Sequence, residues 1–172
     1  MPRIVTISGT SRPDNYTSRA LGVVNEALGD RPVELHSFDA RDLTLSFPGQ
    51  PDTDDAIELR ESVEAADGIV LASPEYHGTF AAMTKLIIES LGFPSALEGK
   101  PMALLGVAAG RIGAIKTLEH LRGVCSHVGA MVLPQPISIA GVRNVFDEEG
   151  NCTDPDIEEL LDDLADSIVS YV

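Results

Sequence analysis

Five short runs rich in Val, Ile, Leu and Ala alternate along this chain with longer stretches of helical periodicity, and that alternation limits the folds open to it. The runs are RIVTIS (3–8), VELHSF (33–38), GIVLAS (68–73), MALLGVA (102–108) and AMVLP (130–134). Strands separated by helices pair in parallel, because each crossover returns the chain to the same end of the sheet, and the helices then cover both faces. The expectation is an α/β three-layer sandwich around a five-stranded parallel sheet of order 2-1-3-4-5. At 172 residues the chain is too short for an eight-fold barrel, and it buries roughly 70% of its unfolded surface as a single domain over 1–172. Aromatics are only 5% of the residues and Trp is absent, so the core must be aliphatic.

Helical faces follow from spacing. Leu21, Val24 and Leu28 share one face, as do Met83, Leu86, Ile87 and Leu91, and then Ala114, Leu118, Leu121 and Cys125. Near the end, Ile157, Leu160, Leu161, Leu164 and Ile168 form a stripe opposite Glu158, Glu159, Asp162, Asp163 and Asp166, a solvated face. TDPD (153–156) opens that helix with a capping residue and an early proline. The irregular stretches 40–54, containing FPGQP, and 134–153, containing DEEGN, read as surface excursions of the kind that rim a pocket or a subunit contact.

A formal charge of −15 argues against nucleic acid and against an anionic membrane as partners, since repulsion would dominate. The acidity serves either solubility or life in high salt, the second suggested by only three lysines. Cys125 and Cys152 stand in no metal or redox spacing, so no metal site is expected and Cys125 reads as a small buried residue. MPRIVTISGT has too short an apolar run for a signal peptide, and no stretch approaches the roughly 20 apolar residues of a membrane span. A cytoplasmic protein is expected.

In an open parallel sheet, ligands bind beyond the carboxyl ends of the strands. Three loops there are unusual. GTSRPDNYTS (9–18) places Gly9, Thr10, Ser11, Arg12, Asn15, Tyr16, Thr17 and Ser18 just before a helix. Either it is an ordinary turn with Asn15 or Thr17 as cap, or its hydroxyls, Arg12 and the free helix N–H groups hold a phosphate. It is neither a Walker loop nor a G-x-G-x-x-G fingerprint. SPEYHG (73–78) ends an apolar strand with a proline, a carboxylate and two rings. Pro74 and Tyr76 could line a flat ligand whose polar rim meets N–H groups near His77 and Gly78, while Glu75 could instead face the dipole of a helix starting near Thr79. In AAGRIG (108–113), Ala108, Ala109 and Gly110 permit close approach of a ring and Arg111 stands at the mouth, or the glycines simply serve a tight turn.

At these residues the chain resembles the NADPH-dependent FMN reductase family, flavodoxin-like proteins that include quinone, chromate and azo-dye reductases. The family patterns G-S-x-R-x-x-S-x-N, S-P-E-Y-N-G-S followed by L-K-N, and a Gly-rich turn after the fourth strand correspond to GTSRPDNYTS, SPEYHGTFAAMTKL and GVAAGRIGA. The resemblance implies a flavodoxin-like fold. It puts Thr10 and Arg12 on the phosphate-binding hydroxyl and arginine, Pro74, Glu75, Tyr76 and Gly78 on the flavin-ring loop, and Lys85 on the lysine of the next helix. Asn15, Tyr16 and Thr17 depart from the usual serine and asparagine, His77 replaces the ring-loop asparagine, and Leu86 replaces the asparagine after the lysine.

The resemblance further implies FMN as cofactor and NADPH or NADH as co-substrate. Hydride would pass in ping-pong fashion to flavin and on to a small-molecule acceptor such as a quinone, free flavin, metal oxyanion or azo compound. No residue is then needed as nucleophile, and none is assigned as catalytic beyond His77 as a modulator. Arg111 would meet the NADPH phosphate or bridge subunits of a homodimer or homotetramer. The alternative that keeps the fold is a flavodoxin-like electron carrier or FMN-binding regulator served by a protein partner.

Overall fold

A computed structural model describes residues 1–172. The elements, in chain order, are β1 (Arg3–Ser8), α1 (Tyr16–Gly29), β2 (Glu34–Asp39), α2 (Asp54–Ala65), β3 (Gly68–Tyr76), β4 (Thr79–Phe80), α3 (Ala82–Ser90), β5 (Pro101–Val107), α4 (Ile115–His127), β6 (Met131–Val132), β7 (Ile137–Ile139), a 3₁₀ turn at Val142–Asn144, and α5 (Pro155–Val169). The sheet runs β2-β1-β3-β5-β6 with every neighbouring pair parallel. This is the expected order 2-1-3-4-5, renumbered because the short β4 pairs antiparallel with the end of β3.

The edge strand expected at 130–134 departs from expectation. Only Met131 and Val132 pair with β5 there; the chain then leaves the ladder and returns as β7 beside Leu105–Val107. Pro134 and Pro136 lie in the gap and Gln135 has φ 61. A proline has no N–H to give a ladder, so two of them interrupt an edge strand without ending it.

Alternation along the central strands sends side chains to two separate cores. Ile4, Val70, Ala72, Leu105 and Val107 face α1 and α5, where Leu21, Val24, Leu28, Leu161, Leu164 and Ile168 meet them. Val5, Ile7, Ile69, Leu71 and Leu104 face the other way, against Leu59 and Val63 of α2, Ile87 and Leu91 of the α3 region, and Leu118, Leu121 and Cys125 of α4. Burial pushes the Cys125 thiol up to about 12, so it behaves as the small apolar residue expected. α4 sits directly on β5: a Cβ at Gly106 would lie 2.7 Å from the Cβ of Ala114.

The stripe on α5 is narrower than its sequence suggests. Leu161, Leu164, Ala165 and Ile168 are buried, whereas Leu160 is 39% exposed and Ile157 only half-buried. The small Ala165 lets the helix seat on that narrower face. Asp154 is its cap, accepting from the N–H groups of Asp156 and Ile157 with Pro155 in the first turn. Leu161→Ala is expected to lower unfolding free energy by about 2–5 kcal/mol, and Leu160→Ala by less than about 0.5 kcal/mol, in urea titrations followed by circular dichroism. Equal losses would contradict this packing.

Candidate functional site

The first loop leaves β1 under close constraint. Gly9 is buried, its N–H donates to the Ala72 carbonyl at 2.8 Å, and a Cβ there would come within 2.3 Å of Thr84 Oγ1. Arg12-Pro13-Asp14-Asn15 then forms a turn with proline second and Asp14 third at φ 48, the pattern of a type II turn. Asn15 closes it. Its Nδ2 donates to the Arg12 carbonyl at 2.8 Å and its Oδ1 accepts from Ser18 N–H at 2.7 Å, so Asn15 is the cap of α1 and Thr17 is buried in the first turn.

The other members of this loop divide between packing and solvent. Thr10 is buried, with Oγ1 accepting from Arg12 N–H at 3.3 Å and lying 3.5 Å from the Tyr76 hydroxyl. Tyr16 packs against Phe146 and lies beneath Arg19, which gives its ring a structural role. Ser11 and Arg12 are exposed, and the Arg12 guanidinium rests 5.8 Å from the Tyr76 ring centroid without a carboxylate partner. The N–H groups of Ser11, Asp14, Asn15, Tyr16 and Thr17 meet no acceptor in the protein. Unpartnered donors, a free cation and a helix N-terminus together suit a phosphate.

SPEYHG is not the loop its composition suggested. β3 continues to Tyr76, and His77 and Gly78 make a two-residue hairpin into β4, with Glu75 opposite Phe80 and Tyr76 opposite Thr79. Both tip residues have positive φ, 52 and 80, as a type I′ turn requires. Histidine is among the few side chains that tolerate that region. Glu75 does not serve the helix that follows it, and that helix starts at Ala82 rather than Thr79. Instead Glu75 Oε2 accepts from Thr117 N–H at 3.1 Å and caps α4, whose own N-cap, Ala114, has no side-chain oxygen. Thr79 Oγ1 lies 2.8 Å from His120 Nδ1, a second tie to α4.

Behind the hairpin lies a buried polar knot. Thr84 Oγ1 donates to the Gly9 carbonyl at 2.7 Å and lies 2.9 Å from Ser73 Oγ, which accepts from Ala81 N–H at 3.1 Å. Ser73 and Thr84 are both fully buried, and Pro74 beside them is buried too. The third loop is stitched to the strand after it. Ala108 N–H donates to Ile139 O, Val142 N–H to Ala108 O, and Gly141 N–H to Gly110 O. Gly113, at φ 80, is the turn glycine, while Ala109, Gly110 and Arg111 stand exposed. The structure therefore brings the three loops to one edge of the sheet, linked through Thr84, Glu75 and Thr10.

Asp39, at the end of β2, belongs to the same edge. Its carboxylate takes both Arg41 Nε and Nη2, at 2.9 and 2.8 Å, and the Ser18 hydroxyl at 2.7 Å; Ser18 in turn touches Ser8. Burial alone would raise its pKa, but the Arg41 side chain and N–H and the Ser18 hydroxyl together outweigh it and hold the group below 3.8. Two cavities, of about 930 and 620 Å³, adjoin along the outside of α3. They share Phe47, Pro48, Lys85, Leu86 and Glu89, and the smaller one reaches Tyr76 and His77.

Thr84, the tie from Glu75 to Thr117 and the pairing of Thr79 with His120 were not singled out by sequence reasoning. A threonine inside an otherwise apolar helical stripe, AMTKLII, was the one signal available for Thr84. Thr84→Val keeps the shape but strands the Gly9 carbonyl, so it is expected to destabilise by about 1–3 kcal/mol in urea unfolding, with Thr84→Ser recovering most of the loss. Val as stable as wild type would contradict the knot. The depressed Asp39 pKa contributes stability that is fully present above 3.8 and lost as pH falls through the lower folded value. Asp39→Asn should therefore flatten the acid limb of the stability profile, and an unchanged limb would contradict the pairing.

The chain is similar in sequence and in fold to known proteins. The model of the family described as NADPH-dependent FMN reductase matches residues 2–145. An NAD(P)H-dependent FMN reductase of Pseudomonas aeruginosa is 31% identical over 184 aligned positions, covering 99% of this chain and 95% of that protein. An NADPH azoreductase of a Bacillus species is 32% identical, covering 94% and 90%. Among solved structures, the flavoenzyme NAD(P)H:(acceptor) oxidoreductase of Paracoccus denitrificans superposes with a TM-score of 0.78 at 22% identity over 99% of both chains, which shows a shared fold. The chain belongs to the NADPH-dependent FMN reductase family: it is an FMN-dependent NAD(P)H oxidoreductase on a flavodoxin-like fold.

Proposed function

We propose that FMN lies across the three loops, its phosphate at residues 10–17 and its ring against the hairpin of residues 74–78 and the 109–111 turn. When bound, FMN supplies the redox chemistry, receiving hydride from NADPH or NADH and reducing a quinone, azo compound, metal oxyanion or free flavin. The observation that carries the assignment is Arg12, a guanidinium free of carboxylates beside unpartnered N–H groups at the start of α1, in a chain of formal charge −15. A cation left without a partner among so many acids marks a place kept for an anion.

The residues divide the work. Ser11, Arg12 and the first-turn N–H groups bind the phosphate, while Thr10 and Asn15 shape the loop that presents them. Tyr76 bounds one side of the ring with the buried Pro74 behind it, and the I′ turn leaves the tip N–H groups of His77 and Gly78 able to stabilise negative charge on the reduced ring. Glu75 fixes that hairpin to α4. With no nucleophile required, the buried Ser73 hydroxyl is left to its structural bonds.

The groove along α3 supports a homodimer or homotetramer. Phe93, at 95% exposed, and Phe47, at 71%, flank a channel that reaches the hairpin, so a second copy of this chain would cover two large apolar side chains and close the ring site from outside. No helix is long and apolar enough to cross a membrane, and we place the protein in the cytoplasm with its nicotinamide supply.

Purified protein is expected to be yellow and to bleach when a nicotinamide is added without oxygen, the colour returning with a quinone. Arg12→Ala removes charge-assisted bonds worth about 1.5–3 kcal/mol, which is about tenfold to about a hundredfold in affinity. FMN should weaken by that factor while riboflavin, lacking the phosphate, is unaffected. Equal FMN affinity in the variant would contradict the assigned role.

A further inference from the structure

Asp39 stands at the end of β2, and its carboxylate reaches across to the start of α1. Ser18, in the first turn of that helix, gives its one hydroxyl proton to Asp39 Oδ2 at 2.7 Å and lies 2.8 Å from Ser8 Oγ at the end of β1. Ser18 N–H meanwhile donates to the cap, Asn15 Oδ1, at 2.7 Å. The carboxylate thus ties the first turn of α1 to the ends of two strands. With its side chain only 20% exposed, it also brings a weakly screened negative charge to a helix end whose N–H groups attract anions.

Arg41, two residues on, answers that charge. Its Nε donates to Asp39 Oδ1 at 2.9 Å and its Nη2 to Oδ2 at 2.8 Å, and Arg41 N–H adds a bond to Oδ1 at 2.9 Å. The guanidinium pKa is raised, first by the bonds to Asp39 and with burial opposing, and the charges of Asp39, Asp42 and Asp14 add to the rise. Asp14 belongs to the turn between Arg12 and Asn15, so Arg41 faces the first loop as well as β2. The backbone here does not depend on the guanidinium: Ala40 N–H donates to Ser8 O and Asp42 N–H to Asp39 O, both at 3.0 Å. What the Arg41 side chain adds is charge, at an end of the sheet where Asp14, Asp39 and Asp42 all stand.

We infer that Arg41 is a specificity residue for phosphorylated flavin: by cancelling the Asp39 charge beside α1, it lets the first loop accept a phosphate that Asp39 alone would repel. This rests on the FMN placement proposed above. Arg41 acts through Asp39 rather than on the ligand, which makes it a positioning residue. A phosphomonoester near neutral pH carries nearly two charges and riboflavin has none there, so the pair separates the two flavins by charge. The two partners share one ion pair, yet their effects on the phosphate have opposite signs. A role confined to holding the chain would make the loss of either partner act the same way.

The test is a fluorescence titration of FMN and of riboflavin with the full-length chain freed of flavin, in wild type, Arg41→Gln, Asp39→Asn and the double variant. Arg41→Gln should weaken FMN about fivefold to tenfold at low salt and by less than about twofold at high salt. Asp39→Asn should tighten FMN about twofold to fivefold, because Arg41 then stands uncompensated. The double variant should return to within about twofold of wild type, with riboflavin unaffected throughout. Arg41→Lys, which keeps the charge without the fork, should bind FMN as wild type does. Should Asp39→Asn fold poorly, Arg41→Gln against Arg41→Lys decides alone. Unchanged FMN affinity in Arg41→Gln would overturn the inference. So would weaker FMN binding in Asp39→Asn, or equal losses for FMN and riboflavin, either of which would make the pair structural. If Arg12→Ala also leaves FMN binding intact, the phosphate does not lie at this loop and the placement above fails; if Arg12→Ala weakens FMN and Arg41→Gln does not, only the role of Arg41 fails.

Discussion

One buried hydroxyl joins the parts of this edge. Thr84 reaches back to the carbonyl of Gly9, at the exit of β1, and touches Ser73, at the point where β3 turns into its hairpin. The two loops come from different strands and would otherwise be free to drift apart. Inside the protein, where the dielectric is low, a satisfied bond of this kind is strong and an unsatisfied one costly, so the geometry has little slack. The absence of a Cβ on Gly9 is what allows the contact: there is no room for one between the loop and α3. The FMN site proposed above, with phosphate at one loop and ring at the other, depends on that spacing.

Much of the architecture was legible because it rests on periodicity. Burial on two faces makes β1, β3 and β5 continuous apolar runs, and the helices declare their inward faces by spacing, as Ala114, Leu118, Leu121 and Cys125 do with all four buried. Legibility ended where tertiary contacts override local preference. Composition marked SPEYHG as a loop because proline, glycine and a carboxylate rarely sit in a strand, yet Pro74 takes a place at the end of β3 beside Val107 and the pair His77–Gly78 supplies a hairpin tip. Glu75 was read against the nearest helix in sequence, whereas its partner is 42 residues away. Leu160 fits the helical stripe by number, but only a narrow face of α5 meets the sheet. The interrupted edge strand was marked by its two prolines, whose effect depends on which side of the strand is free.

The site residues separate in the same way. Asn15 could be picked out as a cap, and Arg12, Tyr76 and Gly78 as proposed cofactor residues, since a cation, a cap, a ring and a glycine each have a limited set of uses. What could not be seen is which of them support others. Thr10 and Asn15 hold the loop, Tyr16 packs on Phe146, and Thr84 and Ser73 lie behind all of them. The acidity of the chain also takes on meaning in three dimensions. Five of the 12 cations pair with carboxylates, as Arg41 does with Asp39 and Arg31 with Asp166, and three more donate to backbone carbonyls, so the unpartnered positive charge stands along one rim. On the proposed reading, that rim is where an anionic ligand would be drawn.

On the proposed reading, the three strand-end loops act as one flavin site, and the cofactor does not lie in the groove along α3. Amide hydrogen exchange of the protein with and without FMN tests it most directly. Protection should rise together at residues 10–18, 76–79 and 108–114. Protection confined to 46–50 and 85–93, with the phosphate loop unaffected, would place the cofactor elsewhere and contradict the account.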